Sequence, residues 1–146
     1  MRLFLDANIL FTAAHNPGGK AALLIELGIQ GHRDLFSSPY AMEKARRNLE
    51  RKFPHMLDTL NSLQNGVQLV KYPGDLKSLE GLAQKDQPIF QAALVSRATR
   101  LLTGDLKDFG PFMNQPDKTC GICVQTVAEF LGQLSMDEIG YPDYST

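Results

Sequence analysis

The chain has 146 residues, 43% of them hydrophobic and 21% charged, with a formal net charge of -1 and a pI near 6.3. That size and balance predict one globular domain and exclude wholesale disorder, a second folding unit and a strongly basic polyanion-binding surface. No apolar run approaches the roughly 18 residues of a membrane span, and Asp6 interrupts the N-terminal run where a signal peptide needs its apolar centre, so the sequence reads as cytoplasmic with no membrane partner.

Taken in chain order, the elements alternate. "RLFL" (2–5) is a short apolar strand followed by Asp6, then by a helix from about Ile9 and a second helix in the glycine-bounded "GGKAALLIELGIQG" (18–31). "DLFSS" (34–38) reads as the second strand, after which Ser38 as N-cap and Pro39 in the first helical position open a helix over 39–53. A further helix covers 54–64 and ends at Asn65-Gly66; "VQLVK" (67–71) is the third strand, and Pro73-Gly74 turns the chain into a short helix over 75–84. A helix over 86–99, with Pro88 in its first turn, leads to the strand "RLLT" (100–103). "GICV" (121–124) is the last strand, and Thr126 with Glu129 has the spacing of a capping box for the closing helix. The domain spans 1–135, and 136–146 is a polar tail.

Strands alternating with helices predict an α/β fold with a mainly parallel sheet, because parallel neighbours need crossover connections. Ligands of such sheets bind beyond the carboxyl ends of the strands. Asp6 and Asp105 lie at those ends, and Glu43 and Asp86 lie in first turns of helices, so the four are expected to converge. Each acid also has a purely structural use: Asp6 and Asp86 as helix caps, Glu43 as a partner of Lys44 or Arg47, Asp105 in a turn. Convergence favours the other use. Two carboxylates about 4 Å apart repel by roughly 4 kcal/mol at an effective dielectric of 20. Clustered carboxylates without histidine or thiolate suit Mg²⁺ or Mn²⁺. Cys120 and Cys123 form a C-x-x-C that lacks further zinc ligands at suitable spacing, and it reads as small buried residues beginning a strand.

"FLDANIL", "SPYAMEKARRNL" and "KDQPIFQAAL…RLLTGDLKDF" resemble the sequence blocks of the PIN-domain family, metal-dependent nucleases that include the VapC-like toxins of bacterial toxin–antitoxin pairs. The resemblance runs from the first strand to about residue 130 and implies a three-layer α/β/α sandwich. It implies Asp6, Glu43, Asp86 and Asp105 as the catalytic, metal-binding acids, Asp108 as a fifth ligand, Asn8 as a hydrogen-bonding support, and Thr103 as the residue orienting Asp105 or a metal-bound water. The implied activity is ribonuclease: hydrolysis of a phosphodiester by a water activated on one or two Mg²⁺ or Mn²⁺ ions, with no side-chain nucleophile. The implied partners are RNA, an antitoxin protein and a second copy in a homodimer.

Lys44, Arg46, Arg47 and Arg51 on the helix of Glu43, with Lys107, are the expected phosphate contacts; Arg97 and Arg100 are placed near the same acids. A haloacid-dehalogenase-like phosphatase also places an aspartate after its first strand, but its D-x-D general acid is Asn8 here, which has no titratable proton. A binding module on the same fold that cuts nothing is the non-enzymatic alternative.

Overall fold

The structure, a computed structural model, describes residues 1–31, 34–71, 74 and 78–134. The apolar runs form the strands β1 (Arg2–Leu5), β2 (Asp34–Ser37), β3 (Gln68–Leu69), β4 (Arg100–Leu102) and β5 (Cys123–Gln125). They make one five-stranded sheet in the order β3-β2-β1-β4-β5, with every pairing parallel. One row of the register runs Phe36, Phe4, Leu101, Val124 across the sheet, all buried. The alternate positions Leu3, Leu5, Leu35 and Leu102, which point to the other face, are buried as well, so neither face is solvated here and the strands are continuous apolar runs rather than alternating ones.

The helices are α1 (Ala7–His15), α2 (Lys20–Ile29), α3 (Pro39–Lys52), α4 (Leu57–Gln64), α5 (Gln87–Val95), α6 (Leu106–Phe109) and α7 (Val127–Gln133). From β1 through β2 to β3 the chain moves one way along the sheet; from β3 it returns past β1 to β4 and β5. With right-handed crossovers that reversal puts helices on both faces, giving the three-layer α/β/α sandwich. α1 packs against α2, α3 and α4, and α5 against β2 and α3. The reversal also creates a switch point between β1 and β4, whose carboxyl ends carry Asp6 and Thr103-Gly104-Asp105. Among the described residues, no helix is long and apolar enough to cross a membrane.

The expected caps form. The Ser38 side chain accepts from the Ala41 amide with Pro39 at the start of α3, and Thr126 and Glu129 make both bonds of the capping box on α7. Several boundaries shift for local reasons. α1 starts at Ala7 because Asp6 itself is the N-cap, and α5 ends at Val95, ahead of Arg97 with its φ of 57°. Residues 54–56 form a 3-10 turn ahead of α4. Cys120 and Gly121 both adopt positive φ, so β5 begins only at Cys123. Cys120 is exposed and Cys123 half-buried, which corrects the expectation of two buried cysteines in a strand. Of the helix expected over 75–84, residues 75–77 lie outside the described residues and 78–83 are not helical. Gly81 has a φ of 90°, and the Gln87 side chain holds this loop by accepting from the Leu79 amide at 2.8 Å and donating to the carbonyls of Leu79 (2.8 Å) and Leu82 (3.0 Å). The tail at 136–146 also lies outside the described residues, as does Pro73 of the expected turn.

Candidate metal centre

Asp6 is 3% exposed, and both its backbone and its carboxylate are held by hydrogen bonds. Its amide donates to Leu102 O (3.0 Å), which ties the end of β1 to β4. Its Oδ1 accepts from the Ala7 amide at 2.7 Å, the cap of α1. Its Oδ2 accepts from the Thr103 hydroxyl at 2.7 Å and from Asn8 Nδ2 at 3.1 Å. The Asn8 Oδ1 in turn accepts from the Gly104 amide at 2.7 Å, and Thr103 Oγ1 accepts from the Asp105 amide at 3.0 Å. Thr103 and Asn8 therefore join the ends of β1 and β4 through side chains and aim both aspartates from one edge.

The φ of Gly104 is not in the left-handed region, so backbone conformation does not require a glycine here. A Cβ at this position would lie 3.3 Å from Asn8 Oδ1, so the glycine is there for the close approach of its amide to Asn8.

Asp105 caps the one-turn helix α6 by accepting from the Asp108 amide at 3.1 Å, and that turn brings the Asp108 carboxylate back beside it. Asp86 ends a 3-10 turn over Gln84–Asp86 and precedes α5, yet its side chain makes no capping bond. It is 1% exposed, and its Oδ2 has no protein donor. Carboxylate oxygens of Asp86, Asp105 and Asp108 all lie within 4.8 Å of one another. Asp6 is coupled to Asp86 and Asp105 through charge.

Crowding and burial set the protonation. Burial pushes the Asp6 carboxyl up, against the bonds from Thr103 and Ala7 and the charge of Lys44. Asp86 is pushed up to about 6 by burial, by the hydrogen bond it shares with Asp108, and by the charges of Asp6 and Asp105. Asp108 is held low, first by its contact with Lys85, whose Nζ is 3.0 Å from Asp108 Oδ2. Of the two, the inner carboxyl of Asp86 thus takes up a proton first as the pH falls, and that of Asp108 last. A buried carboxylate oxygen without a donor, facing two further carboxylates, fits a hard divalent cation and not a thiophilic one.

Glu43 is not in this group. It stands exposed on α3, 3.6 Å from Arg46 Nε, an i,i+3 partner other than the Lys44 or Arg47 expected from sequence. The basic residues are less focused than their spacing suggests. Lys44 favours the ionised form of Asp6, and Lys107 is exposed on α6 beside Asp105 and Asp108. Arg46 faces α4 instead, donating to Asn61 (3.2 Å) and Gln64 (3.4 Å). Arg47 and Arg51 line a surface cleft with Lys44, but Arg51 is about 18 Å along α3 from its site-proximal end at 1.5 Å per residue. Arg100 opens β4 and Arg97 precedes it, at the strand end opposite Asp105, which corrects their expected place beside the acids. Tyr40, Lys85 and Gln87 carried no sequence signal as site residues. The Tyr40 hydroxyl donates to Lys85 O at 2.7 Å and Gln87 braces the adjoining loop, so both hold the turn that presents Asp86.

No protein-family model matches the chain, and no curated protein matches it significantly. Four chains among solved structures match. One belongs to the crystal structure of VapBC2 from Rickettsia felis bound to a DNA fragment from their promoter, with a TM-score of 0.61 and 12% sequence identity, covering 86% of this chain and 98% of that one. At this identity the likeness establishes the fold, and it is a fold on which the acids of this chain meet at the switch point.

Proposed function

We propose that the chain is a divalent-cation-dependent ribonuclease of the PIN kind, acting in the cytoplasm as the toxin of a toxin–antitoxin pair. The observation that carries this reading is the meeting of Asp86, Asp105 and Asp108 within 4.8 Å, with the buried Asp6 behind them, at the carboxyl edge between β1 and β4. The resemblance of the sequence blocks to PIN nucleases and the fold likeness to VapBC2 support it from two sides.

Asp6, Asp86, Asp105 and Asp108 would hold Mg²⁺ or Mn²⁺, which when bound supplies Lewis acidity toward a phosphoryl oxygen and lowers the pKa of a water ligand. The chain's own residues do the positioning. Thr103, Asn8 and the Ala7 amide occupy most of the acceptor capacity of Asp6 and leave its remaining lone pair directed by the fold. Glu43 joins by releasing Arg46, a pair exposed enough to be worth under about 1 kcal/mol. Lys44, Arg47 and Lys107 contact the RNA backbone near the acids, with Arg46 turned toward α4 and Arg51 farther along α3. Asn8 holds Asp6 and Gly104 together, so the position that a phosphatase would give to a general acid is a brace. The antitoxin, the homodimer and the boundary between a nuclease domain at 1–135 and a tail belong to the same proposal.

The test is cleavage of labelled RNA by purified protein in Mg²⁺ or Mn²⁺ against EDTA, beside Asp6→Asn and Asp105→Asn variants of confirmed fold. Cation-dependent cutting lost in both variants is expected. Cutting that persists in EDTA or in both variants overturns the reading, and cation binding without cutting assigns the chain to the binding-module class.

A further inference from the structure

Six of the eight phenylalanines are buried in the core, and the two that are not, Phe11 and Phe53, meet at the surface with two of the three histidines. The His15 and Phe53 rings are stacked, with centroids 4.8 Å apart and planes 13° from parallel. Phe11 lies 4.9 Å from His15 and 6.0 Å from Phe53, and His55 meets Phe53 edge-on at 6.4 Å. Phe11 and His15 are one turn apart on α1, and Phe53 and His55 flank Pro54, where α3 gives way to a 3-10 turn. Phe11, His15 and Phe53 are half-buried and His55 is exposed, so four rings in contact remain open to solvent at one place.

The rings adjoin the basic face of α3. Lys52 Nζ stands 5.6 Å from the centre of the Phe11 ring. Asn48 and Lys44, one and two turns before Lys52, line a surface cleft with Arg47, Arg51 and Glu50, in which cations outnumber the single acid. The same place leads to the acidic site along α1, because Asn8, which bonds Asp6, shares a helix face with Phe11 and His15. At 1.5 Å per residue, Phe11 is about 4.5 Å and His15 about 10 Å along the axis from Asn8. Since α1 and α3 leave neighbouring strands at one sheet edge and pack together, rings and cations run side by side away from the acids.

We propose that this ring cluster is a stacking site for unpaired bases of a single-stranded polynucleotide whose phosphates lie on Lys44, Arg47, Arg51 and Lys52. The role deepens the nuclease reading above and rests on it for the class of ligand. Bases of a single strand stack on Phe and His rings with little regard to sequence, whereas duplex bases are already covered by their neighbours. An acidic protein would satisfy the cations without needing flat rings beside them. The substrate class that follows is single-stranded RNA, held by stacking and charge rather than by base-edge readout.

The test is fluorescence anisotropy of the full chain in EDTA with labelled probes of about ten nucleotides: oligoadenylate, a strand of equal charge without bases, and an RNA duplex. Quenching of 2-aminopurine placed in the single strand reads stacking directly. Oligoadenylate is expected to bind at least about ten-fold tighter than the base-free strand. His15→Leu and Phe53→Leu, with fold confirmed by thermal unfolding, should each weaken oligoadenylate about five-fold or more and lose the quenching, with the other two probes bound as by wild type. His55→Ala, at an exposed position, should act in the same selective way and keeps the test open if the Phe53 change unfolds the chain. Lys52→Gln should weaken both single strands and flatten their salt dependence by about 0.7 in slope. Equal affinity for oligoadenylate and the base-free strand, or folded ring variants that bind and quench as wild type, overturns the proposal. Ring variants that lose a dimer in sedimentation while binding RNA normally also overturn it and assign the rings to a protein contact. Ring-dependent RNA binding without cation-dependent cutting keeps the stacking site and removes the nuclease reading. Cutting that is lost in Asp6→Asn, with no preference for bases, does the reverse, and neither binding nor cutting of any probe overturns both.

Discussion

Thr103→Val tests the bracing of the site without touching an acid. Valine has nearly the shape of threonine, so the change removes one hydroxyl at a fully buried position. That hydroxyl donates to Asp6 Oδ2 at 2.7 Å and accepts from the Asp105 amide at 3.0 Å; Asn8 Nδ2 at 3.3 Å adds little. A bond to a charged group contributes about 1.5–3 kcal/mol and a neutral one about 1 kcal/mol, so the variant should lose about 2–4 kcal/mol. With a typical urea dependence near 2 kcal/mol/M, the unfolding midpoint should fall by about 1–2 M when followed by circular dichroism in EDTA. In an Asp6→Ala background only the Asp105 amide still misses the hydroxyl, so the same substitution should cost about 1 kcal/mol. A loss under about 0.5 kcal/mol, or an equal loss in both backgrounds, refutes the bracing argument.

The raised carboxyls set the sign of a pH effect in the cation-free protein. A folded-state pKa above the unfolded value means that the folded chain binds more protons, so stability from Asp86 is full below about 4 and is lost as pH rises through about 6. The loss is at most about 3 kcal/mol, and Asp6 adds in the same direction; an Asp86→Asn protein should show a flatter decline between pH 4 and 6.5 in urea titrations, and an identical decline counts against the assignment. Gly104→Ala places a methyl 3.3 Å from Asn8 Oδ1 and should cost about 1 kcal/mol, reduced in an Asn8→Ala background; equal costs would mean that the close approach is not what requires the glycine. Gln87→Leu removes three bonds to the 79–82 loop and should cost about 3 kcal/mol, with faster hydrogen exchange at the Leu79 amide as its local signature.

Strand positions and the acids at their ends were legible because they are local: an apolar run that stops at an aspartate reports both the strand and the edge. The same holds for Ser38-Pro39 and for Thr126 with Glu129, where the capping chemistry lies within four residues. Side-chain direction is not local. The spacing of Lys44, Arg46, Arg47 and Arg51 places them on one helix, but α4 draws Arg46 away through Asn61 and Gln64, and the length of α3 carries Arg51 far from the acids. Glu43 illustrates the limit: its position near the start of α3 was readable, its pairing with Arg46 was not. α6 escaped because four residues are too few to show a period, and the turn at 84–86 escaped because the bond on its Lys85 carbonyl comes from Tyr40, far away in the chain.

Asp86 shows what structure adds to such a reading. In the sequence, an aspartate at the start of a helix with Pro88 behind it has every mark of an N-cap, and capping alone would account for it. In the fold it is the preceding residue of α5 and still makes no capping bond; it is buried, leaves an oxygen without a donor, and has its carboxyl pushed up by that burial and by Asp108 beside it. A cap was available to this carboxylate and it is not used. Since an unpartnered buried acceptor costs about 1–3 kcal/mol, the orientation of Asp86 runs against the stability of the cation-free chain. A group held against stability, at a switch point and among like charges, is placed for a function rather than for folding, which is the argument behind the proposed cation site.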